Sequence, residues 1–194
     1  MDIKALAQKY EPYIIERRRY FHAHPELSFK EWETTKALVA EFEKMGMEIQ
    51  TFPDYPGLIA TLDTGKPGRT VMLRADIDAL PVKEGTGLDF ASQNEGVMHA
   101  CGHDNHMAML LGAAHILLEK KDELKGKVKF LLQSGEEMAC GAKYYVDHHI
   151  LDGVDAIFGQ HIWGTLDAPY VCVASGNRMA SCDNFTIRVE GLQS

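Results

Sequence analysis

The sequence predicts an α/β protein, with a mixed central sheet carrying helices on both faces. Three observations carry that prediction. Nearly continuous apolar runs at Val128–Gln133 and Ala156–Ile162 read as strands buried on both sides. Segments of helical period stand between the strand patterns, so helices and strands alternate along the chain. With 45% hydrophobic residues among 194, the chain can fill a core of ordinary domain size.

The first periodic segment runs from about Ile3 to Phe21. Pro12 lies inside it and predicts a short turn before the main helix, because proline lacks the N–H a helix interior uses. His24-Pro25 ends the pattern, since the residue before proline is pushed out of helical geometry. Trp32–Met45 is a second helix with a Leu38, Val39, Phe42 and Met45 stripe, and Gly46 follows as a terminator. Leu58–Leu62 and Thr70–Arg74 read as strands joined by the Gly/Pro-rich turn Asp63–Gly68, a hairpin pattern. Lys83–Met98 is loop-like. Asn105–Lys121 is a helix rich in Met, Leu and Ala, capped by Asp104 or Asn105. Ala142–His149 is a short helix. Tyr170–Ala174 and Phe185–Val189 add strand patterns towards the end.

The formal charge of −8, from 20 basic and 28 acidic residues, argues against nonspecific attraction to nucleic acid or an anionic membrane. Arg17–Arg19 falls in a polar helical pattern and reads as a solvated face. The four cysteines, Cys101, Cys140, Cys172 and Cys182, do not make a dense disulfide framework, and free thiols in a reducing compartment suit them better. The first residues lack a signal-peptide core, and no stretch is long and apolar enough to span a bilayer. The expectation is a soluble, cytoplasmic protein.

Four short segments bear chemistry. His99-Ala100-Cys101-Gly102-His103-Asp104-Asn105-His106 gathers thiol and imidazole, good donors for zinc, in a turn ahead of a helix. Taken alone, Cys-Gly-His more often marks a turn with surface histidines and a buried thiol. Gln133-Ser134-Gly135-Glu136-Glu137 follows a buried strand. Ligand sites of open α/β sheets lie beyond such strand ends, and paired carboxylates can divide metal binding from proton transfer. An ordinary acidic loop is the plain alternative. His161, in Gly159-Gln160-His161-Ile162-Trp163, brings an imidazole to another strand end, although a lone histidine there is more often structural. Asp76 and Asp78, two residues apart, share a side of a strand and could orient a ligand histidine, or simply form a hydrogen-bonded strand exit balanced by Arg74. Together the segments offer thiolate, imidazole and carboxylate donors with a carboxylate to spare, a set suited to activating water. Neither GxGxxG nor GxxxxGK[ST] is present. A Cys–His protease centred on Cys101 is the competing chemistry, and it leaves the acidic residues unexplained.

At these residues the chain resembles the aminoacylase/carboxypeptidase family of metallohydrolases, and in particular its amidohydrolase branch of hippurate, N-acyl-amino-acid and auxin-conjugate hydrolases and N-acetyl-diaminopimelate deacetylases. The resemblance runs from His22-Ala23-His24-Pro25-Glu26-Leu27-Ser28 through Arg74–Pro81, His99–His106, Gly135–Glu137 and Gly159–Trp163 to Ala180–Phe185. It implies a metallopeptidase catalytic domain of phosphorylase/hydrolase type. It implies that Cys101, His103, Glu137 and His161 are ligands of two divalent ions, zinc, manganese, cobalt or nickel. Glu136 would be the general base for metal-bound water, and Asp78 the supporting acid. Asp76 stands where related branches have histidine. The substrate implied is a small N-acyl amino acid or amide, and complete relatives often dimerise. The same resemblance makes residues 1–184 the N-terminal portion of an incomplete catalytic domain, and residues 185–194 a strand leading towards a lid and dimerisation domain. The family's remaining histidine ligand and its substrate-binding histidine belong to segments this sequence does not contain. The alternative is a truncated, inactive metal-binding or structural fragment of such a hydrolase.

Overall fold

The structure, a computed structural model, describes residues 2–177 and 185–192. It divides into two units, Met1–Trp163 and Gly164–Ser194. All helices and strands among the described residues lie in the first.

Helix α1 (Ile3–Ala23) opens with the Asp2 side chain accepting a hydrogen bond from the Lys4 amide. It runs through Pro12 without the expected turn. Pro12 and Gln8, the residue whose carbonyl loses its N–H partner, are both exposed, so water can satisfy that oxygen. Helix α2 is Trp32–Lys44 and α3 is His103–Glu119. Neither Asp104 nor Asn105 caps α3. The cap is Gly102, and Asp104 lies inside the helix, fully buried, accepting hydrogen bonds from Arg18 and His22. Gly112 lets α1 and α3 approach closely, since a Cβ there would stand 2.5 Å from Ile14 Cδ1.

The strands are β1 (Glu48–Thr51), β2 (Gly57–Asp63), β3 (Thr70–Asp76), β4 (Lys127–Gln133) and β5 (Ala156–Gly159), in sheet order β1-β2-β4-β3-β5. The sheet is mixed: β4 is antiparallel to β2 but parallel to β3, and β3 is parallel to β5. The expected β2–β3 hairpin therefore does not form, because β4 fits between those strands and takes the backbone hydrogen bonds of both. Strand β1 is an edge strand that the sequence pattern did not predict.

Alternation along the strands builds two cores. Leu58, Ala60 and Leu62 of β2, with Phe130 and Leu132 of β4, face Phe21, Leu38, Phe42, Met107 and Leu111 of α1–α3. On the other face Ile59, Met72 and Leu131 meet Phe52, Ile150 and Tyr145, the last from helix α4 (Gly141–Asp147). Helices thus cover both faces, as predicted. Strand β5 is the exception to expected burial: it ends at Gly159, pairs with β3 at the sheet edge, and leaves Phe158 60% exposed.

Tyr170–Ala174 and Phe185–Val189, expected as strands, form none. Val171, Val173, Ile187 and Val189 are exposed, and an apolar pattern without a face to cover does not by itself make a strand. Ala180–Asn184, and Cys182 with them, lie outside the described residues. No helix among the described residues is long and apolar enough to cross a membrane.

Candidate metal centre

Strands β4, β3 and β5 are mutually parallel, so their carboxyl ends open on the same side of the sheet. Those ends deliver Asp76 and Asp78, then Glu136 and Glu137, then His161. Such an edge is where ligands bind in open α/β sheets. The amino end of α3 adds Cys101 and His103. Gly102 between them has φ +94°, and a Cβ on it would fall 2.4 Å from Ile162 Cδ1, so this tight turn needs glycine twice over.

His103 is fully buried. Its Nδ1–H donates to the Asp78 backbone carbonyl at 2.8 Å, and the Asp78 carboxylate lies 3.3 Å from the same nitrogen. That arrangement directs Nε2 to the carboxylates, 3.7 Å from Glu136 and 3.8 Å from Glu137. Asp78 Oδ2 also accepts from Ser28 Oγ at 2.7 Å and from the Glu137 amide at 2.9 Å. The carboxylate pair sits on a short 3₁₀ turn, Glu136–Met138, entered through Gly135. His161 donates from Nδ1 to the Ile162 carbonyl, which leaves Nε2 3.2 Å from Cys101 Sγ.

The electrostatics follow from crowding acidic groups around one thiol. Burial, with Glu137, Glu136 and Asp76 nearby, pushes the Cys101 thiol up to about 12. Burial alone would lower His103, but Asp78, Asp76 and Glu137 outweigh it and raise the imidazole to about 9. Burial raises Glu137, reinforced by Glu136 and Asp78. Asp78 is lowered despite burial, because the His103 imidazole stands 3.3 Å from its carboxylate and Ser28 and the Glu137 amide donate hydrogen bonds to it. The site therefore favours an added positive charge.

A divalent cation fits that demand. Among the described residues, no group hydrogen-bonds the buried atoms His103 Nε2 and Glu137 Oε1. Three donor groups each gather within 4.8 Å: Cys101, His103 and His161; His103, Glu136 and Glu137; and Asp76, His103 and His106. Thiolate, imidazole and carboxylate are the usual donors for zinc and its neighbours. All the sequence-predicted residues thus meet around His103, with Asp78 behind it. Asp76 is held at Oδ1 by Arg74 Nε and Nη2, at 3.0 and 2.6 Å.

Sequence reasoning missed Glu31. Its fully buried carboxylate accepts from Ser134 Oγ at 2.8 and 2.7 Å and from the Gly135 amide at 3.1 Å, bracing the turn just before Glu136. A lone glutamate at the start of a helix reads as solvated, and nothing local distinguishes this one. The role of His106 was also missed: its Nε2 accepts from the Ile162 amide at 3.1 Å.

Fold and donor set together define an α/β protein with a candidate metal centre at the carboxyl edge of its sheet. The sequence pattern of peptidase family M20/M25/M40 matches residues 72–190, and the chain belongs to that family. It is 41% identical over 191 residues to an N-acyl-L-amino acid amidohydrolase of Geobacillus stearothermophilus, covering 98% of this chain and 52% of that protein. It is 45% identical over 179 residues to an N-acetylcysteine deacetylase of Bacillus subtilis, covering 92% of this chain and 47% of the relative. The crystal structure of a dinuclear metal-binding peptidase of the M20 family from Bacillus subtilis superposes with a TM-score of 0.77 at 44% identity, over 84% of this chain and 45% of that one. The chain spans about half the length of these relatives.

Proposed function

We propose that this chain forms the greater part of the active site of a metal-dependent amidohydrolase that cleaves the amide bond of N-acyl amino acids or related small amides. The observation that carries this reading is the convergence of Cys101, His103, Glu136, Glu137 and His161, with buried donor atoms on His103 and Glu137 facing one another. The names of the relatives support the substrate class.

Cys101, His103, Glu137 and His161 would hold the divalent ions, zinc, manganese, cobalt or nickel, two in the complete site. Bound there, such ions supply Lewis acidity, bringing water towards a pKa of ~7 and polarising the acyl carbonyl. The remaining work belongs to the protein. Glu136, whose side chain is 38% exposed, has the access to take a proton from the attacking water and return it to the departing nitrogen. Asp78 fixes the His103 tautomer through Nδ1 and the Glu137 backbone through its amide, so both donors keep their aim. Residues 1–184 then belong to a catalytic domain, with residues 185–194 leading out of it. A cytoplasmic setting would keep Cys101 reduced.

The Cys101–His161 contact at 3.2 Å is the observation that favours a thiol protease. The chemistry of the site argues against it, because a nucleophilic cysteine needs a lowered pKa and this thiol is raised to about 12. The half-length coverage favours a second reading, in which this chain binds metal without turning over substrate.

The experiment is Glu136→Gln, assayed for bound metal and for hydrolysis of a panel of N-acetyl amino acids. Metal retained with turnover reduced by about 10²–10⁴ supports the assignment. Metal retained with unchanged turnover overturns it. A wild-type chain that holds metal yet hydrolyses nothing in the panel selects the second reading.

A further inference from the structure

His161 is the donor with the least support from its own element. Strand β5 stops at Gly159 on the sheet edge, and the His161 side chain is exposed. A side chain in that position loses rotamer freedom when it is held in one geometry, so something must define where it points. The restraint comes from α3. His106 lies one helical turn beyond His103 on the same face. It is 3% exposed, and its ring stands 4.6 Å from that of His161 at 71° and 5.3 Å from that of His103. Its Nε2 accepts the Ile162 N–H at 3.1 Å. That bond places the His106 proton on Nδ1. The Ile162 side chain meanwhile lies over Gly102, so residue 162 is held by its backbone at His106 and by its side chain at the Cys101-Gly102-His103 turn. The Ile162 carbonyl in turn accepts from His161 Nδ1, which aims Nε2 at Cys101 Sγ.

We infer that His106 is a positioning residue: by accepting the Ile162 amide it docks the end of β5 onto α3 and sets His161 against Cys101. This rests on the metal-site reading above for its consequence, while the docking bond itself is independent of metal. Substitution by glutamine and by asparagine separates the acceptor from the mere presence of a polar side chain. Glutamine carries its amide oxygen close to where Nε2 sits, whereas asparagine reaches only to the position of Nδ1.

The test uses the intact chain and its His106→Gln and His106→Asn variants, with folding checked by circular dichroism. Metal-free protein is followed by amide hydrogen exchange at Ile162. Each protein is then titrated with Co²⁺, reading the thiolate-to-cobalt charge-transfer band, with Cys101→Ser as the control that removes it. The expected result is an Ile162 amide protected in wild type and His106→Gln and fast in His106→Asn, with Co²⁺ affinity lowered about 10–100-fold in His106→Asn and largely retained in His106→Gln. Equal exchange and equal Co²⁺ affinity in the two variants overturn the inference. A wild-type chain with a protected Ile162 amide but no thiolate band overturns the metal reading and leaves the docking bond standing.

Discussion

Glu31 carries a stability cost that depends on pH. Burial raises its carboxyl from 4.5 to about 7, against the lowering effect of the Ser134 hydroxyl and the Gly135 amide. A carboxyl whose pKa is higher folded than unfolded is held in its protonated form by the fold. Below about pH 4.5 both states are protonated and the group costs nothing. Between about 4.5 and 7 the unfolded chain ionises first, and the native state loses ground. Above about 7 the loss is complete, and the distance from 4.5 to about 7 corresponds to about 3 kcal/mol. Glu31→Gln removes the titration but keeps an amide that can accept from Gly135 and pair with Ser134. Urea unfolding of both metal-free proteins, measured from pH 4 to 8, should show Glu31→Gln gaining stability relative to wild type as pH rises, by up to about 3 kcal/mol. A stability difference that stays flat across that range, or that falls with pH, would show that the fold does not hold the Glu31 carboxyl in its protonated form.

Two further outcomes follow from the same geometry. Gly135→Ala places a Cβ 2.2 Å from the Phe29 ring in a residue at φ +71°, so it should destabilise by about 1–3 kcal/mol in urea and weaken metal binding by shifting the Glu136–Glu137 turn. A variant with wild-type stability would show that the turn tolerates a side chain. Phe130→Ala empties a fully buried position in β4 beside Phe42, and should cost about 3–5 kcal/mol in the unfolding free energy while leaving the site's donor residues in place. A loss under about 1 kcal/mol would mean the core does not depend on this ring.

The sheet and its flanking helices were legible because local pattern suffices for them. The Leu38, Val39 and Phe42 stripe of α2, the apolar α3 and the continuous β4 all matched their elements within a few residues. Pairing was not legible. Nothing in Leu58–Leu62 or Thr70–Arg74 says that the later strand Lys127–Gln133 will part them, since register depends on partners remote in sequence. The turn at Pro12 failed because a proline on an exposed helix face costs one hydrogen bond that water can replace. Burial of β5 was inferred from composition, which does not distinguish a central strand from an edge strand. In the site, the reactive residue types stood out by chemistry, and the structure gathers Cys101, His103, Glu136, Glu137 and His161. Among their supports, Glu31 carries no local signal, and Ser28 and His106, though inside noted segments, acquire their partners only in the fold.

Cys101, His103, Glu137 and His161 are together the proposed ligands for the divalent ions. Equilibrium dialysis of the chain against zinc, followed by metal analysis, tests this most directly. Wild type should retain zinc after exhaustive dialysis, and Cys101→Ser and Glu137→Gln should each lose most of it while remaining folded. A folded wild type that retains no zinc, or variants that retain as much as wild type, would contradict this assignment.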